Sequence, residues 1–186
     1  ITESRTDSGL SVVVDRVPGA PVVAVYLWIG VGAADEGPEE QGAAHFVEHM
    51  LFKGTERFNV GDVASVVEGL GGDMNAYTSH DQTVYHATVL AEHWTQALEV
   101  LADMAQNSRF LDEEIERERG VILEEIRGDA EDPDRTLSDA ISAKMYRDHP
   151  YGRPVIGSRK SVSSMAGNRI RAFWKRWYVP GNMTLS

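Results

Sequence analysis

Short apolar runs bounded by turn residues open the chain and predict strands. Residues 1–9 are polar and read as a mobile lead-in. Leu10 to Val14 reads as a strand, and Asp15-Arg16-Val17-Pro18-Gly19 turns the chain. Pro21 to Ile29 is nearly all apolar, the pattern of a central strand covered on both faces. Gly30 to Gln41 carries glycine, proline and acids and reads as loop. The period then changes. Gly42 to Phe52 predicts a helix, stopped by Lys53-Gly54-Thr55. Val60, Val63, Val66, Val67 and Leu70 recur at helical spacing, and Gly69-Leu70-Gly71-Gly72 ends that run. Asp73 to Thr78 and Thr83 to Leu90 predict a hairpin joined by Ser79-His80-Asp81-Gln82.

The rest of the chain is mainly helical in pattern. Glu92 to Gln106 is amphipathic, with Trp94, Ala97, Leu98, Leu101 and Ala105 on its apolar side. Leu111 to Gly128 is a strongly charged helix, broken by Asp129 to Pro133, and Arg135 to Tyr146 is another. His149 to Pro154 is a turn-rich link, Ser161 to Tyr178 a last helix, and Met183-Thr184-Leu185 a short strand. Strands and helices mix without βαβ alternation. The pattern predicts an α+β fold, a mostly antiparallel sheet packed against several helices. There is no internal repeat, low-complexity tract or linker, so residues 1–186 read as a single domain.

Composition narrows the function classes. Apolar residues make up 42% and charged residues 25% of the 186, the mix of a globular protein with a sizeable core. No apolar run is long enough to span a membrane, and no signal pattern opens the chain. The first residue is Ile1, so the natural start is expected to lie upstream. There is no cysteine, which excludes disulfides, thiolate metal sites and a cysteine nucleophile. That fits a reducing compartment. The net charge of −11 disfavours nucleic acid and would attract basic peptides. The glycine cluster at 69–72 is no phosphate loop, because a strand follows it and no Lys-Ser/Thr does.

The chemistry concentrates in Gly42-Ala43-Ala44-His45-Phe46-Val47-Glu48-His49-Met50-Leu51-Phe52. His45 and His49 are four apart and share one helix face, the spacing that grips a tetrahedral Zn²⁺. Glu48 borders that face and can take a proton from the water such an ion activates. The remaining helix positions are largely apolar. Two imidazoles and a carboxylate would thus be buried, at a cost that a metal relieves. The order His-x-x-Glu-His is the signature of inverted zinc peptidases.

A catalytic zinc needs a third protein ligand. His80, His86, His93 and His149 are open alternatives, but the helix after Leu111 offers better-placed carboxylates. On its wheel Leu111, Ile115, Ile122 and Ile126 define the buried side. Glu118 and Glu125, seven apart, face it, and Glu124 points roughly 100° further round. Glu125 is the stronger inward acid, with Glu118 stacked two turns before it.

His45-Phe46-Val47-Glu48-His49-Met50-Leu51-Phe52-Lys53-Gly54-Thr55 resembles the pitrilysin-type zinc peptidases, most closely the mitochondrial processing peptidase beta subunit and its bacterial relatives. The stretch Glu116 to Ile126 is similar to the segment supplying that family's third ligand, which falls on Glu125. The family's second acid falls on Glu118, with an implied role in supporting the metal site. Asp73-Met74-Asn75-Ala76-Tyr77-Thr78-Ser79 resembles the family's substrate strand, which implies peptide binding at Asn75, Ala76 and Tyr77. His149-Pro150-Tyr151-Gly152-Arg153-Pro154 resembles a further landmark. One departure is Gly30 to Glu36, which lacks the arginine the family often carries there.

The resemblance implies a half-clamshell metallopeptidase domain holding one Zn²⁺ through His45, His49 and Glu125. Glu48 would be the base of an endopeptidase acting on short or unfolded peptides, some of them basic. It also implies a second homologous domain or subunit, and a chain cut within the last strand of its first domain. The piece alone is then expected to have little activity. The competing classes are a non-catalytic partner of the same fold and a zinc hydrolase of small molecules.

Overall fold

The computed structural model describes residues 1–186. Six strands form one sheet: β1 (Thr2–Arg5), β2 (Ser11–Val14), β3 (Val22–Ile29), β4 (Asp73–Thr78), β5 (Thr83–Leu90) and β6 (Met183–Leu185). Their order is β1-β2-β6-β3-β5-β4, antiparallel throughout except for the β2–β6 pair. β4 is therefore an edge. The helices are α1 (Ala43–Leu51), α2 (Asp62–Gly69), α3 (Trp94–Asn107), α4 (Asp112–Glu131), α5 (Pro133–Tyr146), α6 (Arg159–Ser164) and α7 (Gly167–Trp177).

The sheet buries one face. Val25, Leu27 and Ile29 of β3 alternate into a core shared with Phe46, Met50, Leu101, Ile122 and Phe173 from the helices. On the opposite face Tyr26 stacks on Trp28 (centroids 5.9 Å apart) and on His86 (5.2 Å), and these side chains stay only half-buried. β3 is central, as its sequence predicts, but it is covered on one face and not on both. Tyr and Trp have polar tips, so an apolar-looking run can serve a half-open face. Here Trp28 Nε1 donates to Ser186 Oγ at 3.1 Å.

Four further differences from the sequence reading have local causes. Residues 1–9 are ordered as a strand and turn: β1 pairs with β2, and Gly9, at φ 95°, closes the turn back to Thr6. The 30–41 loop contains a 3₁₀ turn at Ala33–Asp35. The Ser161–Tyr178 run is two helices, because Met165 adopts extended backbone and sinks its side chain into the core. The break between α4 and α5 is a single residue: Asp132 caps α5 by accepting from the Asp134 and Arg135 amides, and Pro133 fills the first helical position.

Candidate metal centre

α1 is anchored at both ends. Phe46, Val47, Met50 and Leu51 are fully buried, so the helix cannot rotate without exposing them. Its N-cap is Gly42, at φ 92°, where a Cβ would lie 2.8 Å from the Ile156 carbonyl oxygen and 3.2 Å from the Gly157 Cα. The first-turn amides are satisfied by a remote carboxylate: Glu36 accepts from Gly42 N–H at 2.8 Å and from Ala44 N–H at 2.9 Å. Burial pushes Glu36 up to about 8, against those two bonds and the charge of Arg153. Arg153, from the turn-rich link, donates to the carbonyl oxygens of Ala33 and Glu36.

The anchored helix directs His45 and His49 toward α4, their ring centroids 4.6 Å apart. Glu125 Oε2 lies 3.8 Å from His45 Nε2 and 3.5 Å from His49 Nε2. In a tetrahedral zinc site with bonds of about 2.0–2.1 Å, donor atoms sit about 3.3 Å apart; both Glu125 contacts are close to that, and the three donor atoms lie within 4.8 Å of one another, so the set can hold one ion. It is the only group of three or more His, Asp or Glu side chains so placed in the chain. His45 Nδ1 is buried without a partner, and burial, then His49, pushes the ring down to about 3. His45 is thus held neutral, the form in which imidazole ligates a metal.

Glu118 lies behind His49. Its Oε2 is 3.1 Å from His49 Nδ1, and its Oε1 is 2.8 Å from Lys53 Nζ. Burial works to raise Glu118, but its bonds to His49 and Lys53 prevail and hold it below the usual carboxylate range. An ionised Glu118 accepts the hydrogen bond of His49 Nδ1–H, which turns Nε2 toward Glu125. The two acids divide accordingly. The Glu118 side chain is 3% exposed and the Glu125 side chain 41%, so Glu125 reaches the open side while Glu118 forms the floor.

Glu48 sits beside the three donors. Its Oε2 accepts from the Thr78 hydroxyl at 2.5 Å, and burial pushes it up despite that bond and the charge of His49. β4 runs past this point. Leu27 and Tyr85 are a facing pair, and Tyr26 exchanges both backbone bonds with Ser186, so the ladder alternates from there. Asn75 and Tyr77 then bond inward to β5, while Met74, Ala76 and Thr78 turn their N–H and C=O groups to the open edge. Ala76 N–H meets only the Asn75 side-chain oxygen, at 2.8 Å.

The sequence-predicted residues are therefore placed unevenly. His45, Glu48, His49, Glu118 and Glu125 converge. Of the strand residues, Ala76 faces the helix side, while the Asn75 and Tyr77 side chains project from the opposite face of the sheet. The other histidines are elsewhere: His80 meets the Arg153 carbonyl, His86 stacks on Tyr26, His149 accepts from Tyr151 N–H, and His93 lies beside Glu92. Sequence reasoning missed Glu36, Lys53 and the bond of Thr78, a residue of the expected peptide strand, to Glu48. Lys53 alone had a local signal, just after the helix that carries His45 and His49.

Residues 11–159 match the family described as Insulinase (Peptidase family M16). An uncharacterized zinc protease of Mycobacterium leprae is 40% identical over 186 residues, 100% of this chain and 42% of that protein. The crystal structure of a protease from Helicobacter pylori superposes with a TM-score of 0.96 at 27% identity, over 99% of this chain and 45% of that one. An M16 peptidase inactive domain from Pseudomonas fluorescens, 23% identical over 99% of this chain and 45% of its own, shares the fold with a TM-score of 0.90. The chain thus spans less than half the length of these proteins. On this match, and with the fold of its solved neighbours, the chain belongs to the insulinase-type peptidase family M16.

Proposed function

We propose that this chain carries the zinc centre of an endopeptidase that cleaves extended peptides laid along β4. The observation that carries the reading is the meeting of His45 Nε2, His49 Nε2 and Glu125 Oε2, with Glu48 beside them. His45, His49 and Glu125 would hold one zinc ion, which when bound supplies Lewis acidity to polarise the scissile carbonyl and acidify water. Glu48 takes the proton of the attacking water at its carboxylate and returns it to the leaving amine. Glu118 holds His49 in the ligating tautomer.

The free edge of β4 supports binding by strand addition, in which backbone groups at Met74, Ala76 and Thr78 receive the peptide. Such binding reads backbone more than side chains. Substrates would be short or unfolded, and the net charge of −11 favours basic ones. A second homologous domain or subunit would close over the edge, because the chain spans 42% of its Mycobacterium relative. No helix is long and apolar enough to cross a membrane.

The test uses the full-length polypeptide with quenched peptides of varied charge. Zinc-dependent cleavage, lost with a chelator and restored by zinc, is the expected result. Zinc binding without cleavage of any peptide would favour a non-catalytic partner or a small-molecule hydrolase and overturn the proposal.

A further inference from the structure

We infer that Thr78 is the positioning residue of the proton acceptor: its hydroxyl pins one oxygen of Glu48 from the same strand that receives the peptide. The inference rests on the peptidase reading above.

The argument is one of hydrogen-bond accounting. The Thr78 hydroxyl has a single proton and two neighbours, Glu48 Oε2 at 2.5 Å and Thr83 Oγ1 at 3.4 Å. Thr83 is fully buried, and its own proton goes to the Val31 carbonyl at 3.0 Å. Below them the hydroxyls of Tyr85 and Tyr178 bond to each other at 2.8 Å, and burial keeps both protonated. The Thr78 hydroxyl gives the Glu48 side chain its hydrogen bond from the chain, so it is what orients the carboxylate there. The proton of Thr78 is directed to the shorter contact and the charged acceptor. Glu48 Oε1 carries no hydrogen bond from the chain and stays free to receive a proton. A glutamate has three torsions, and one short bond to a residue fixed in a sheet selects among them.

The position of Thr78 adds a second element. It is the last residue of β4, paired with Thr83, and its side chain is on the helix side with Met74 and Ala76. Its backbone groups face the open edge, so a peptide added to β4 would bond to the residue that holds the base. Peptide register and base orientation are then set by one residue.

The test compares zinc-loaded full-length protein with Thr78→Val, which keeps shape and removes the hydroxyl, and Thr78→Ser, which keeps the hydroxyl. For Thr78→Val, kcat is expected to fall between about tenfold and a hundredfold, the worth of a hydrogen bond to a charged group, with KM within about threefold. Thr78→Ser is expected to recover most of kcat. Crystal structures of the three zinc-loaded proteins give a readout apart from activity. Glu48 holds one orientation in the wild type and in Thr78→Ser and several in Thr78→Val, with zinc occupancy equal in all three. Should Thr78→Val not fold, Thr78→Ala carries the same comparison. An unchanged kcat, a loss mainly in KM, a Ser variant as impaired as the Val variant, or an unmoved Glu48 overturns the inference. If the wild type cleaves no peptide, the peptidase reading fails, and the orientation of Glu48 alone decides the role of Thr78.

Discussion

Replacing Glu118 with Gln isolates the contribution of charge behind the metal centre. Glu118 is 3% exposed and bonds His49 Nδ1 at 3.1 Å and Lys53 Nζ at 2.8 Å. Both contacts are to donors, so a carboxylate satisfies both and an amide satisfies one. In Glu118→Gln the amide oxygen keeps His49 Nδ1–H and the amide NH₂ turns toward Lys53. The Lys53 side chain is 28% exposed and can swing to water, so no charge is stranded. The tautomer of His49 survives while the carboxylate that strengthens it as a ligand is gone. Groups in this position are worth about 10- to 100-fold in metal affinity. The surviving bond places Glu118→Gln near about tenfold, or 1.4 kcal/mol, and Glu118→Ala near about a hundredfold. A competition titration against a chromophoric zinc chelator measures this directly. The zinc-induced gain in unfolding free energy should shrink by about 1.4 kcal/mol for each tenfold at fixed excess zinc. Melting of the metal-free variants separates weaker ligation from a damaged fold. Zinc affinity unchanged in Glu118→Ala would refute the reasoning, since His49 would then need no support.

Three further outcomes are expected. Glu48→Gln keeps zinc bound and lowers kcat by about 10²–10⁴-fold, the range of a lost general base, measured by peptide cleavage beside metal analysis. Glu36→Ala strands two buried amides at the start of α1 and should cost about 2–4 kcal/mol in urea unfolding, with a parallel loss of zinc affinity as the helix frays. Ala76→Pro removes an edge N–H without breaking the β4–β5 ladder, so KM should rise by about tenfold while zinc affinity holds.

What the sequence disclosed follows from how far each interaction reaches along the chain. His45, Glu48 and His49 share one helical turn, and their i, i+4 geometry is fixed before any tertiary contact forms. Glu125 and Glu118 were legible because seven residues make nearly two turns, and a wheel drawn on Leu111, Ile115, Ile122 and Ile126 turns both inward. The wheel ranked Glu125 as the stronger inward acid, whereas Glu118 is the buried floor and Glu125 is 41% exposed, because burial depends on where α1 lies across α4. Glu36 and Thr78 were not legible. Glu36 reaches the α1 amides from an irregular loop with no period to read. Thr78 meets Glu48 only because β4 passes beneath α1, 30 residues apart in sequence. The half-open sheet face was misread for a related reason. Tyr26 and Trp28 score as apolar, and only the completed fold shows that no layer of this chain covers them.

The measurement that bears most directly on the account is anomalous diffraction at the zinc edge from crystals of the zinc-loaded protein. One peak is predicted, about 2.0–2.2 Å from His45 Nε2, His49 Nε2 and a Glu125 carboxylate oxygen, with His49 Nδ1 still bonded to Glu118. A peak held by other side chains, or one from which the Glu125 carboxylate is absent, would contradict it.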